Sequence, residues 1–215
     1  MNKNLSLEDK LFGLSIKLYR ESEAFANISG DELIIKTNEN EIKYSLKEIQ
    51  NNKEVLLEVL QYIGSALLFA PEELRNDKEV VSAAVRKNGL ALEYASEELR
   101  NDKEVVLAAV RKNGLALGYA SEELCNDKEV ILAAVQNHGN ALLYASEELL
   151  NDKEIILEAV KQCGENIALA SPELRNDKEV LAAVKQNNYN LERAYKKARN
   201  AIRKNIQTTQ KQENG

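Results

Sequence analysis

The phrase Asn-Asp-Lys-Glu stands at Asn76, Asn101, Asn126, Asn151 and Asn176, and a close copy, Asn-Asn-Lys-Glu, at Asn51, so the same four residues return every 25 positions. A fixed period in this range is what stacked supersecondary units leave in a sequence, because a unit too small to bury its own apolar face must cover it with a neighbour. The chain is therefore expected to be an all-α helical repeat, a solenoid of six units of about 25 residues beginning at Asn51.

The third repeat, residues 101–125, serves as the model, with its positions numbered 1 to 25. Asn101 at position 1 reads as an N-cap and Glu104 at position 4 as its capping-box partner. The acidic side chains at positions 2 and 4 complement the positive helix end, and Arg111 and Lys112 at positions 11 and 12 the negative end. Positions 5, 6, 9 and 10 are Val105, Val106, Ala109 and Val110, which gather on one helical side. Gly114 at position 14 reads as a left-handed helix stop, repeated at Gly64, Gly89, Gly139 and Gly164 and replaced by Asn188 in the sixth repeat. Leu115 to Ala120 form a short second helix of about two turns. Ser121 then caps a single turn, and Pro172 after Ser171 suits a first helical position, where its missing N–H costs nothing.

Such an array needs covered ends. Residues 1–50 supply one cover: Leu7, Leu11, Leu14, Leu18 and Phe25 share a helical stripe, and Leu33 to Thr37 with Ile42 to Leu46 read as a β-hairpin around Asn38-Glu39-Asn40. Residues 191–215 supply the other, with Leu191, Tyr195, Ala198, Ile202 and Ile206 on one side of a closing helix whose end, from Gln207, frays. The organisation expected is thus a cap over 1–50, a repeat array over 51–190 and a basic helix over 191–215.

Charge is unevenly spread. Residues 191–215 carry seven basic side chains against Glu192 and Glu213, a net +5, so the rest of a chain of net charge −6 carries −11. An acidic repeat array is a poor partner for phosphate backbones, whereas Arg193, Lys196, Lys197, Arg199, Arg203 and Lys204 form a candidate nucleic-acid contact. The apolar runs are too short to span a bilayer and the amino terminus is polar, so a soluble, cytoplasmic protein is expected. Cys125 and Cys163 stand at different repeat positions and form no disulfide framework.

Catalytic chemistry finds little purchase. The one histidine, His138, shares position 13 with Cys163, but two ligands one repeat apart are not a metal site, and no metal or cofactor is expected. The pairs Glu72-Glu73, Glu97-Glu98, Glu122-Glu123 and Glu147-Glu148 are neighbours on a turn and diverge, so they read as a solvated face rather than acid–base partners. The recurring aromatic, Phe69, Tyr94, Tyr119 and Tyr144, reads as core packing with an exposed hydroxyl. Variation concentrates on the side of the long helix away from the apolar stripe: Arg86-Lys87, Arg111-Lys112, Gln136-Asn137 and Lys161-Gln162 occupy positions 11 and 12 of successive repeats. A constant scaffold with a changing exposed ridge is how repeat proteins meet partners, and these eight residues are the candidate binding surface.

The unit N-D-K-E-V-V-x-A-A-V-x-x-N-G-x-A-L-x-Y-A-S-E-E-L, as it stands in 76–99 and 101–124, resembles the bacterial repeat known as domain of unknown function 4116, over about residues 51–190. The resemblance implies a helical repeat and makes a partner-binding or host-directed role conceivable, including delivery into a host cell. It carries over no catalytic residue. The function expected is a non-enzymatic scaffold that binds a protein through the ridge of the repeats, the alternative being a nucleic-acid-associated protein that uses the basic terminal helix.

Overall fold

The computed structural model describes residues 25–36 and 41–186. The expected helical stripe over Leu7 to Leu18, the glycine-to-asparagine change at Asn188 and the whole basic segment from Leu191 lie outside them. The chain divides into two compact bodies, residues 1–121 and 122–215.

The first body opens with a three-stranded antiparallel sheet, β1 (Phe25–Ser29), β2 (Glu32–Lys36) and β3 (Glu41–Ser45), in the order β1-β2-β3. The expected hairpin is therefore its β2–β3 half, paired Leu33 to Tyr44 and Ile35 to Ile42. Phe25 belongs to β1 and not to a helix. The extra strand is folded back by Gly30-Asp31, where Gly30 takes a left-handed φ of 63° that other residues resist. Leu46 is not a strand residue: it opens helix α1 (Leu46–Asn51), capped by a full box between Ser45 and Glu48. Buried Tyr44 fastens the sheet to the first repeat, its hydroxyl donating to Glu58 at 2.7 Å. Burial, followed by that bond to a carboxylate, pushes the Tyr44 phenol far above its ordinary range.

The repeats then follow the expected plan of long helix, short helix and turn. In the first body the long helices are α2 (Lys53–Tyr62), α4 (Lys78–Lys87) and α6 (Lys103–Lys112), with single-turn helices α3 (Glu72–Arg75) and α5 (Glu97–Arg100). In the second body α7 (Glu122–Cys125) precedes the long helices α8 (Lys128–Asn137), α9 (Lys153–Gln162) and α10 (Lys178–Gln186). Within each body consecutive long helices pack side by side, the arrangement of a helical solenoid. The stripe residues form its core: Val80, Val81, Ala84 and Val85 are fully buried, as are Val130, Ile131, Ala134 and Val135. The short segments Gly64–Phe69, Gly89–Tyr94, Gly114–Tyr119, Gly139–Tyr144 and Gly164–Leu169 are 3₁₀ helices. With three residues per turn, the six residues available make the two turns expected. Ala91 and Leu92 show the side each of them turns inward, both fully buried.

The position-14 glycine is not a left-handed stop, since Gly30 is the one glycine with positive φ among the described residues. Its reason is contact. A methyl group on Gly64 would stand 2.5 Å from the Ala84 carbonyl oxygen and 2.9 Å from Asn88 Cβ, both in the following repeat, and one on Gly89 would run into Ala109 and Asn113 in the same way. Glycine therefore sets how closely the next long helix approaches. Because the obstacle is backbone, Gly64→Ala is expected to lower stability by about 1–3 kcal/mol, read as a lower urea midpoint with little change in slope.

A capping ladder and an exposed ridge

The repeated phrase does more than start a helix, and it does so with a different residue. Asp77, Asp102, Asp127 and Asp152, at position 2, are the N-caps; each accepts backbone N–H bonds from the residues at positions 4 and 5, as Asp102 does from Glu104 at 3.0 Å and Val105 at 3.1 Å. The position-1 asparagine, expected to be that cap, instead closes the preceding single turn, and its side-chain oxygen accepts the hydroxyl of the serine 20 residues later, Ser96 to Asn76 at 2.6 Å and Ser171 to Asn151 at 2.7 Å. Ser96 also accepts from Leu99 N–H, as the cap expected of it.

The remaining two residues reach across repeats. Lys78 Nζ lies 2.8 Å from Asp102 and 2.9 Å from Glu104, and in the first body Lys53 holds Asp77 and Glu79 in the same way. In the second body Lys128 holds Asp152 and Glu154, and Lys153 holds Asp177 and Glu179. Each such aspartate thus caps its own helix and receives the lysine of the repeat before. Asn52 in the first repeat becomes intelligible: it caps α2 through its side-chain oxygen, at 2.9 Å from Glu54 N, but has no earlier repeat to offer a lysine.

These contacts set the protonation of the ladder. Burial pulls the Asp77, Asp102 and Asp152 carboxyls upward and is the largest single influence, but the lysine bond and the two backbone N–H donors together outweigh it and hold each below its ordinary value. The partner lysines are raised, chiefly by hydrogen bonds to these carboxylates.

At position 13 the side chain caps the 3₁₀ helix: Asn88 and Asn113 accept from Leu90 and Leu115 N–H at 3.0 Å, and His138 Nδ1 does the same for Asn140 at 3.3 Å. His138 is thus an asparagine substitute. Cys163 makes no such cap, and Cys125 and Cys163 are not joined in a disulfide. Among the described residues no three metal-ligating side chains gather, and no helix is long and apolar enough to cross a membrane. The acidic pairs on the turns are exposed. The position-19 aromatics grade outward, from Phe69 at 4% exposure through half-buried Tyr94 and Tyr119 to Tyr144 at 42%, beside Leu143 at 63%. Core packing thus describes Phe69 fully and Tyr144 poorly.

Of the eight ridge residues, Arg86, Arg111, Lys112, Gln136, Asn137, Lys161 and Gln162 are exposed or nearly so and Lys87 is half-buried. Gln162 nonetheless serves the fold: it accepts from Gly139 N–H at 2.8 Å and donates to the Val135 and Gln136 carbonyls at 2.7 and 2.9 Å, tying α9 to the end of α8. Beside it Leu132, Gln136, Leu157, Glu158 and Lys161 line an open groove of about 480 Å³. Lys161 reaches Glu158 at 3.6 Å. The alternative contact through Arg193, Lys196, Lys197, Arg199, Arg203 and Lys204 lies outside the described residues.

A family model for a domain of unknown function, DUF4116, matches residues 32–75, 52–100, 102–150 and 152–197. The first match begins with β2, so β2 and β3 fall within the family pattern and β1 lies before it. No curated protein and no solved structure matches the chain.

Two outcomes test the ladder. Asp102→Asn keeps a capping oxygen and loses the charge, whereas Asp102→Ala loses both; the alanine change is expected to cost about 1 kcal/mol for the cap alone and the asparagine change less, measured by urea unfolding. Because the aspartates are depressed, their contribution is complete above the unfolded carboxyl value of about 3.9 and is lost as pH falls through the lower folded value. The raised lysines contribute below about 10.4 and lose that contribution as pH rises through their higher folded values. The melting temperature is therefore expected to be level near neutrality and to fall at both extremes, with Asp77→Asn/Asp102→Asn/Asp152→Asn flattening the acid-side fall.

Proposed function

Since the chain belongs to the DUF4116 family, whose description assigns no activity, we propose from its own surface that it is a non-enzymatic scaffold that binds a protein partner along the outer ridge of its long helices. One observation carries the reading: the side chains of the repeated Asn-Asp-Lys-Glu phrase are taken up by the fold, as caps and cross-repeat ion pairs, while positions 11 and 12, exposed at all but Lys87, pass from Arg86-Lys87 and Arg111-Lys112 to Gln136-Asn137 and Lys161-Gln162. A constant scaffold under a varied exposed row is the division of labour that repeat proteins use for recognition. Cys125 fits no nucleophilic role on this reading, because burial, assisted by Glu122, pushes its thiol up and away from the reactive thiolate. The proposed setting is bacterial and cytoplasmic, and the family resemblance extends it to action inside a host cell.

Affinity capture with the full chain tests this, using charge-altered ridges in each body, Arg86→Glu/Arg111→Glu and Gln136→Glu/Lys161→Glu, and Glu97→Gln/Glu98→Gln on a turn as control. The expected result is a partner retained by the native chain and the control and lost with at least one ridge variant. A partner lost only with the turn variant, or none retained by any chain, overturns the reading.

A further inference from the structure

Two consecutive long helices of the first body, α4 and α6, end in Arg86-Lys87 and Arg111-Lys112, while the equivalent residues of α8 and α9 are Gln136-Asn137 and Lys161-Gln162. Three observations set these two helix ends apart from the cross-repeat lysines and from Lys161. Among the described residues Arg86, Lys87 and Lys112 have no carboxylate at ion-pair distance, whereas Lys53, Lys78, Lys128 and Lys153 each hold two and Lys161 holds one. Three residues before each arginine stands an alanine, Ala83 or Ala108, where α9 has Glu158 before Lys161, so neither helix places a carboxylate of its own one turn below its arginine. The carboxylates that do share the outer side of α4 and α6, Glu79 and Glu104, are already taken by Lys53 and Lys78. Positive charge is compensated at the ladder lysines and left standing at Arg86, Lys87 and Lys112.

We propose that Arg86, Lys87, Arg111 and Lys112 form a receiving site for a short acidic segment of a protein partner. This rests on the reading of the ridge as a protein-binding surface and names the chemistry of what it meets. The helix ends take up part of the charge through their dipoles, which ordinarily holds cations of a last turn in place without any ligand. Arg86, Lys87 and Lys112 stand on two adjacent helix ends without a carboxylate at ion-pair distance among the described residues, and Arg86 brings a planar fork that pairs with a carboxylate through two parallel bonds. The extent of the site favours a protein segment over a nucleic acid. A duplex carries one phosphate for about every 1.7 Å of its axis and would run beyond two repeats onto a chain whose residues outside 191–215 sum to −11. A run of a few carboxylates ends within the patch.

Fluorescence anisotropy with the full chain and a labelled peptide of ten glutamates as probe tests the site, with a neutral glycine–serine peptide and a labelled oligodeoxythymidine of equal charge beside it. The glutamate peptide is expected to bind at low ionic strength and to weaken with added salt. Arg86→Glu/Arg111→Glu is expected to reduce its affinity at least tenfold with an unchanged melting curve, while Lys161→Glu changes it less than twofold. Should the charge reversal lower the melting temperature, Arg86→Gln/Arg111→Gln replaces it, with the same direction expected. Glutamate peptide that binds no better than the neutral one overturns the proposal, as does equal sensitivity to Lys161→Glu. Tighter binding of the oligodeoxythymidine through the same arginines overturns it in favour of nucleic acid. If the glutamate peptide fails while a captured protein still depends on ridge residues, the acidic chemistry falls and the scaffold reading stands; if capture also shows no ridge dependence, both fall.

Discussion

Each long helix carries a stripe of four small or branched apolar residues that its own repeat is too small to cover. Burial of that stripe against the neighbouring long helices and 3₁₀ helices is the interaction on which the rest depends, and side chains such as Val80, Val81, Ala84 and Val85 reach complete burial by it. The other recurring features fix the register of that burial. Glycine at position 14 admits the next helix to a distance that a single methyl group would forbid. The Lys-to-Asp/Glu pairs, partly exposed and individually weak, choose which turn of one helix lies beside which turn of the next.

The ladder and the ridge are two uses of the same helix. At its start, four polar residues are so fully engaged that changing any one removes a contact either within the repeat or to the next. At its end, positions 11 and 12 lie beyond the buried stripe and differ between the Arg-Lys pairs of α4 and α6 and the residues of α8 and α9. Where one of them is recruited for structure, as Gln162 is, its amide ties two neighbouring long helices together through their backbones. Constraint and freedom therefore sit about two turns apart, and a surface can be varied at one end of the helix without disturbing the packing set at the other.

Much of the fold was legible in the order of residues because its determinants are local and repeated. The period located the repeats, the apolar spacing located the core, and six residues between glycine and alanine were enough for two tight turns. The sheet was half legible: alternation revealed β2 and β3, while the turn into β1 was marked only by Gly30-Asp31, a signal that a glycine at positive φ fulfils. Of the candidate surface, exposure could be read from the helical wheel. The commitment of Gln162 and the outward grading from Phe69 to Tyr144 could not, since both depend on groups from neighbouring elements.

Sequence by itself determined that this chain is a helical repeat, where each repeat begins, and which residues enter the core, because helix phase and burial follow from spacing within one segment. Only the tertiary structure decided what the repeated phrase does. Whether asparagine or aspartate caps the helix, which carboxylates the lysine reaches, and why Gly64 and Gly89 leave no room for a side chain are all questions about a partner some 20 to 25 residues away. Sequence order leaves such a partner unnamed until packing brings the two repeats together.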